Sequence, residues 1–551
     1  MGVTAIISLV LFLNLSSEPA LSVSYHVSIE NPNSRMVDVR AEIKGLLPEH
    51  NPLHMKMADQ YAFVRLDEPL LEGEVRAEDG FGHSLPLTRR SSYSWTLDTR
   101  DSNEVVLSYR VPLRHSDLPI VKEQNDVYEQ PFLDSHYGML VSGTLILWPE
   151  NTGIFQTRVS FSLPDGWEVI CPWKELDNNT FAPTMKGALD DLVAIGQWSK
   201  HIIEADGMTI TVAFTPGQKM LEEAAIPLIE KIVKAELSLF KATPNSKYLF
   251  LFGKPIPHGF GGSPKNGSMI LAVDSKFESV SKQYPIHRLL GHLVAHEFFH
   301  LWGSLNYQCP DELRFFSEGF TDYYAYLILA REGILDKTEF LKLLCERMKA
   351  SALNPLAGEI SLAEAGGRPF FTDKNAENLI YKGGMVMAAL LDSHLRKAKS
   401  GACLDLFMQE LNNDPRWVLG ETAPDLDVFL GSIESYLGTG SADHFAALIK
   451  NPFSLDPVKE FALAGIEVKR TVSKEEPDLR GNLDEKTGTT LLDLDPGGLA
   501  YAMGIRPNDR FVKINGVEPA TRGDVYKAWS NPANGRIRVT YIRDGKTFDI
   551  D

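Results

Sequence analysis

The sequence predicts a multidomain α+β protein. An N-terminal antiparallel β domain leads into a middle that mixes strands and helices. A helical domain and a short strand-rich module follow. Three observations predict this order. Apolar residues recur with period two through residues 23–200, switch to helical spacing between Gln218 and Phe240, and return to period two near the C-terminus.

The first domain shows the alternation most clearly over Met36 to Lys44. There Val37, Val39, Ala41 and Ile43 alternate with Asp38, Arg40, Glu42 and Lys44, which puts one face on a core and one in water. Val159, Phe161 and Leu163 repeat the pattern around Ser160 and Ser162, and Asp79-Gly80 and Asp165-Gly166 signal turns. From Gln218 to Phe240, the residues Leu221, Leu228, Ile229, Ile232, Val233 and Phe240 mark a helix. A strand over Tyr248–Phe252, a Gly-rich loop from His258 to Pro264, a strand over Met269–Val273 and a long helix from about Tyr284 to Leu305 follow. Helical patterns dominate residues 319–450, Met385 to Leu395 among them. A charged, Pro-containing stretch, Ser473 to Thr487, sets off the last module, where Ile537, Val539 and Tyr541 alternate after the turn Asn534-Gly535.

Before this begins an apolar run, Ala5 to Leu15, with small residues at Ala20 and Ser22. Residues 1–22 read as a secretory signal cut before Val23, which implies an exported, periplasmic or secreted protein. No other segment reaches the about 18 apolar residues of a spanning helix, so no integral membrane span is expected. A net charge of −18 repels phosphate backbones and argues against a nucleic-acid partner. The four cysteines, Cys171, Cys309, Cys345 and Cys403, form no CxxC pair; they read as structural thiols, with two disulfides open in an oxidising compartment.

The chemistry concentrates in His296-Glu297-Phe298-Phe299-His300. Residues four apart on an α-helix are rotated by about 40° and separated by about 6 Å, so both imidazoles leave one face and can grip one ion. Catalytic zinc takes three protein ligands and keeps a position for water. Glu318, in Phe316-Ser317-Glu318-Gly319-Phe320-Thr321-Asp322, is the candidate third ligand. Glu297 is placed to take a proton from the attacking water. Asp322, one turn beyond Glu318, is a candidate for the carboxylate that orients a metal-bound imidazole, or a solvated helix-face aspartate.

HEFFHLW from His296 to Trp302, followed by SEGFTDYY from Ser317, resembles the glycyl aminopeptidase family of zinc peptidases, and more broadly the glutamate-zincins. The resemblance implies a Zn2+ enzyme acting on peptides or proteins. Its implied layout is a β domain over 23–200, a thermolysin-like catalytic domain over 201–322, a helical domain over 323–455 and a PDZ-like domain over 456–551. Ile380-Tyr381-Lys382-Gly383-Gly384 resembles the segment whose tyrosine stabilises the oxyanion in such enzymes, which makes Tyr381 a catalytic candidate beside Glu297. The alternative is a core tyrosine.

In relatives the Gly-rich segment forms an edge strand along which substrate lies, so Gly261 and Gly262 are candidate substrate-binding residues. The relatives' amine-gripping Glu is absent: no acidic residue lies between His258 and Val273, and Lys265 stands there instead. Weaker dependence on a free substrate N-terminus is therefore expected, with an endopeptidase as the alternative; Asp134 is a candidate substitute charge. Pro496-Gly497-Gly498-Leu499-Ala500, Gly504 to Asp509 with Asn508 in place of a Gly, and Ile514-Asn515-Gly516 resemble a PDZ domain. Its groove would take a peptide C-terminus near Leu479 to Leu483, or be blocked. A peptide-binding protein with a vestigial peptidase domain is the reading from a different class.

Overall fold

The computed structural model describes residues 21–551 apart from 59, 62–63, 66–70, 114–127, 151, 153–154, 185–189, 241–245, 257–258, 284, 304–308, 370–372, 399–400, 415–424, 470–478, 485–486, 495–497 and 533–534. The signal segment up to Ala20, His258, Tyr284, Leu305, Pro496-Gly497, Asn534 and much of Ser473–Thr487 lie outside the described residues. The chain forms two compact units, residues 1–298 and 299–551.

In the first unit, a seven-stranded sheet carries the alternation read from the sequence. Met36–Lys44 pairs antiparallel with Ser22–Ser28 and with Glu104–Pro112. Val37, Val39, Ala41 and Ile43 are buried, as period two requires. The sheet is not wholly antiparallel: Ser22–Ser28 runs parallel to Gln156–Ser162, a pairing of distant segments that no local pattern encodes.

A second, five-stranded sheet runs in the order Ser199–Ala205, Met208–Phe214, Lys247–Phe252, Ser268–Val273, Phe260–Pro264. Its middle strands are parallel, and the helix Lys219–Phe240 makes the crossover between two of them. That helix buries Ala225, Ile229, Ile232, Val233, Leu237 and Phe240, spaced three and four apart. On the sheet, Ala213, Leu249, Leu251 and Ile270 join the hydrophobic core of the β domain. The segment whose composition reads as a Gly-rich loop is an antiparallel edge strand, Phe260–Pro264, as the family resemblance implies. Glycines hide strand character because they supply no side chain to show alternation.

The second unit contains the helices Thr321–Arg331, Lys337–Ala352, Gly384–Ala398, Leu404–Asn413, Leu426–Leu437 and Thr439–Lys450. Its last part has a core of its own, with Leu479, Leu491, Ile505, Phe511, Ile514, Val525 and Trp529 buried together. There the fully buried Asp509 accepts from Arg543 Nε and Nη2 at 2.6 Å each, and from the Arg506 N–H at 2.8 Å. All four cysteines are unpaired. No described helix is long and apolar enough to cross a membrane.

Candidate active site

The HExxH segment lies on one continuous helix, His292–Gly303. Val294, Ala295, Phe298, Phe299, Leu301 and Trp302 bury its flanks, so this is a core helix and not a solvated one. His296, Glu297 and His300 are only 6%, 7% and 4% exposed. Ionisable groups held this deep require partners, because an unpaired buried charge is costly.

Ligand atoms of His296, His300 and Glu318 all lie within 4.8 Å of one another. The His300 Nε2 to Glu318 Oε2 distance is 3.8 Å. Two imidazoles and a carboxylate so spaced fit one zinc with bonds of about 2.0–2.2 Å and leave a fourth position open. Asp322 is buried and groups instead with His296 and His292. His292 was not singled out in the sequence. The signal was there: it stands four residues before His296, on the same helix face.

Glu318 and Tyr381 sit on π-helical turns, Phe315–Phe320 and Leu379–Gly383, which pack against each other. A third, His287–Gly291, leads into the HExxH helix. Such turns mark functional segments in many proteins. Two glycines permit the close packing. A Cβ on Gly319 would stand 2.3 Å from Gly384 Cα, and one on Gly384 would stand 2.3 Å from the Phe315 carbonyl oxygen. Tyr381 itself is half-buried.

Gly261 and Gly262 have separate steric reasons. A Cβ on Gly262 would lie 2.4 Å from Glu297 Cγ, so the bare strand admits the glutamate. A Cβ on Gly261 would lie 2.6 Å from the Tyr128 ring. The expectation for Lys265 is corrected. Its ammonium does not project free into the cleft; it is buried and pairs with Glu129 Oε2 at 3.0 Å and Asp190 Oδ1 at 3.2 Å. Burial alone would lower its pKa, but the two carboxylates raise it above the ordinary lysine value. Asp134 does not supply a loose charge either, since Lys254 holds it at 2.7 Å.

Glu236, on the helix Lys219–Phe240, is a fully buried carboxyl that sequence reading passed over as part of an amphipathic pattern. Burial pushes its pKa well above the carboxylate range, with His296 pulling the other way. Only tertiary packing brings it near the motif.

Fold and site together define a zinc-dependent peptidase, aminopeptidase-like in kind. The Peptidase M61 N-terminal domain matches residues 24–193, and the M61 glycyl aminopeptidase family matches residues 290–387. No curated protein sequence matches the chain. Among solved structures, an aminopeptidase N family protein from Idiomarina loihiensis is similar over 96% of this chain and 95% of its own, with a TM-score of 0.76 at 20% identity. An M1 zinc metallopeptidase from Deinococcus radiodurans is similar over 80% of this chain and 95% of its own, with a TM-score of 0.50 at 13% identity. Yeast LTA4 hydrolase covers 79% of this chain and 68% of its own, with a TM-score of 0.51 at 14% identity. These structural likenesses are likenesses of fold.

Proposed function

We propose that this zinc peptidase holds its metal through His296, His300 and Glu318 and uses Glu297 as general base. The observation that carries the reading is the clustering of these three donors on and beside a core helix. Zinc, when bound, acidifies water and polarises the scissile carbonyl. Glu297, beside the first ligand and against Gly262, takes the proton from the attacking water and delivers it to the leaving amine. Tyr381 donates a hydrogen bond from its hydroxyl to the carbonyl oxygen as negative charge builds there. Asp322 accepts the second ring N–H of His296 and fixes its orientation. The substrate peptide lies extended along the edge strand that begins at Phe260.

The C-terminal module we read as PDZ-like, with a groove for a peptide C-terminus. Asn508, which replaces a glycine of that resemblance, supports it: its φ of 72° is the left-handed conformation that glycine and asparagine tolerate. Export through the segment 1–22 belongs to the same proposal.

Elemental analysis and turnover of a fluorogenic peptide set test the central reading. One zinc per chain is expected, and Glu297→Gln should retain it while losing about 10²–10⁴-fold in kcat. A zinc-loaded wild type inert on every peptide, or a fully active Glu297→Gln, overturns it.

A further inference from the structure

The edge strand Phe260–Pro264 is not uniformly open, and the reason lies in the turn at Tyr128 and Glu129. The Lys265 N–H bonds inward to the Ser268 carbonyl at 2.6 Å. Main-chain groups on a strand alternate sides with period two, so Gly261, Ser263 and Lys265 direct theirs toward the neighbouring strand. Phe260, Gly262 and Pro264 direct theirs to the free edge. On the neighbour, Leu271, opposite Gly262, directs its carbonyl away to the Gly253 N–H at 3.2 Å, which agrees with that phase.

An extended peptide adding to this edge needs outward donors and acceptors. Pro264 has no N–H to offer. At Gly262 the carbonyl already accepts from the Tyr128 hydroxyl at 2.5 Å. Tyr128 passes under the strand, against the face that Gly261 leaves bare, and turns up to the edge at Gly262. Its neighbour Glu129 is fully buried and anchors the turn through the ion pair to Lys265. Among the described residues the edge is thus available from Phe260 to the Gly262 N–H and stops there. Glu297 lies against that stopping point.

We propose that Tyr128 closes the substrate strand at Gly262, making it the residue that confines cleavage to the end of a peptide. This rests on the peptidase reading above. A groove that ends beside the general base admits a chain terminus, and the scissile bond then falls next to that terminus. Local charge selects which one. Two carboxylates, Glu129 and Asp190, face one ammonium, Lys265; burial raises the Asp190 carboxyl above its ordinary value while Lys265 pulls it back, and 52% of its side chain is exposed. A substrate ammonium is attracted there and a substrate carboxylate repelled. The enzyme accordingly trims free N-termini, and Tyr128 is a specificity-determining residue and not part of the proton transfer.

The test compares matched peptides with free and acetylated N-termini, with products read by mass spectrometry. Zinc-loaded wild type should release single residues and prefer the free amine at least tenfold. Tyr128→Ala should erase that preference and yield internal fragments. Tyr128→Phe removes only the hydroxyl and should raise cleavage of acetylated peptides severalfold, which carries the test if the alanine variant fails to fold. Wild type that cuts acetylated peptides equally well, or Tyr128 variants with an unchanged free-to-acetylated ratio, overturns the inference and leaves the peptidase reading standing. A zinc-loaded wild type that cuts no peptide overturns both.

Discussion

Single side chains in this site take their meaning from what touches them. Lys265 is the clearest case: as a letter between Pro264 and Asn266 it is a positive charge beside the cleft, and in the fold it pairs with Glu129 and Asp190. Tyr381 is the converse, a tyrosine whose motif suggests a role and whose π-helical turn packs against that of Glu318. Its hydroxyl is expected to act on charge that exists only near the transition state. Tyr381→Phe should therefore lower kcat by about 2.7–4 kcal/mol, on the order of 10²–10³-fold, with little change in KM. Equal kcat values in steady-state assays would return Tyr381 to the core.

At the scale of elements, the π-helical turn bearing Glu318 owes its place to backbone contact between Gly319 and Gly384. A methyl group at either position meets main-chain atoms that cannot rotate away, so the turns must separate. Gly384→Ala is expected to cost about 1–3 kcal/mol, the usual penalty of overpacking. It should also weaken zinc binding at least tenfold, measured by chelator competition, because Glu318 moves with its turn. Gly431, on the helix Leu426–Leu437, has nothing within 4 Å of its missing Cβ. Gly431→Ala is the control and should be neutral, or stabilising by up to about 1 kcal/mol. Zinc affinity unchanged in Gly384→Ala would show that the glycine contact does not position the ligand.

Across the whole molecule, the C-terminal part keeps a hydrophobic core separate from that of the β domain. Its stability turns on Asp509, a fully buried carboxylate gripped by both donors of Arg543. Removing Asp509 deletes the acceptor of two charge-assisted bonds, while Arg543, 32% exposed, can still reach water, so the cost is about 1.5–3 kcal/mol. Asp509→Ala should destabilise that module, seen as faster proteolytic clipping within residues 479–551, while turnover of short peptides stays within about twofold. Loss of turnover in step with clipping would show that the peptidase requires the folded module.

The sequence by itself determined the metal chemistry and most elements, because both are written locally. A histidine pair four apart is a geometric statement about one helix, and alternation in Met36–Lys44 is one about one strand. The helix Lys219–Phe240 and the strands Lys247–Phe252 and Ser268–Val273 were legible for the same reason. Tertiary structure alone decided what depends on residues far apart in the chain. It paired Ser22–Ser28 with Gln156–Ser162 and brought Tyr128 to Gly262 and Glu129 to Lys265. It also placed Glu236 near His296 and one glycine backbone on another at Gly319 and Gly384. Charge and steric fit act through space at a few ångströms, and no period along the chain records which distant residue will stand at that distance.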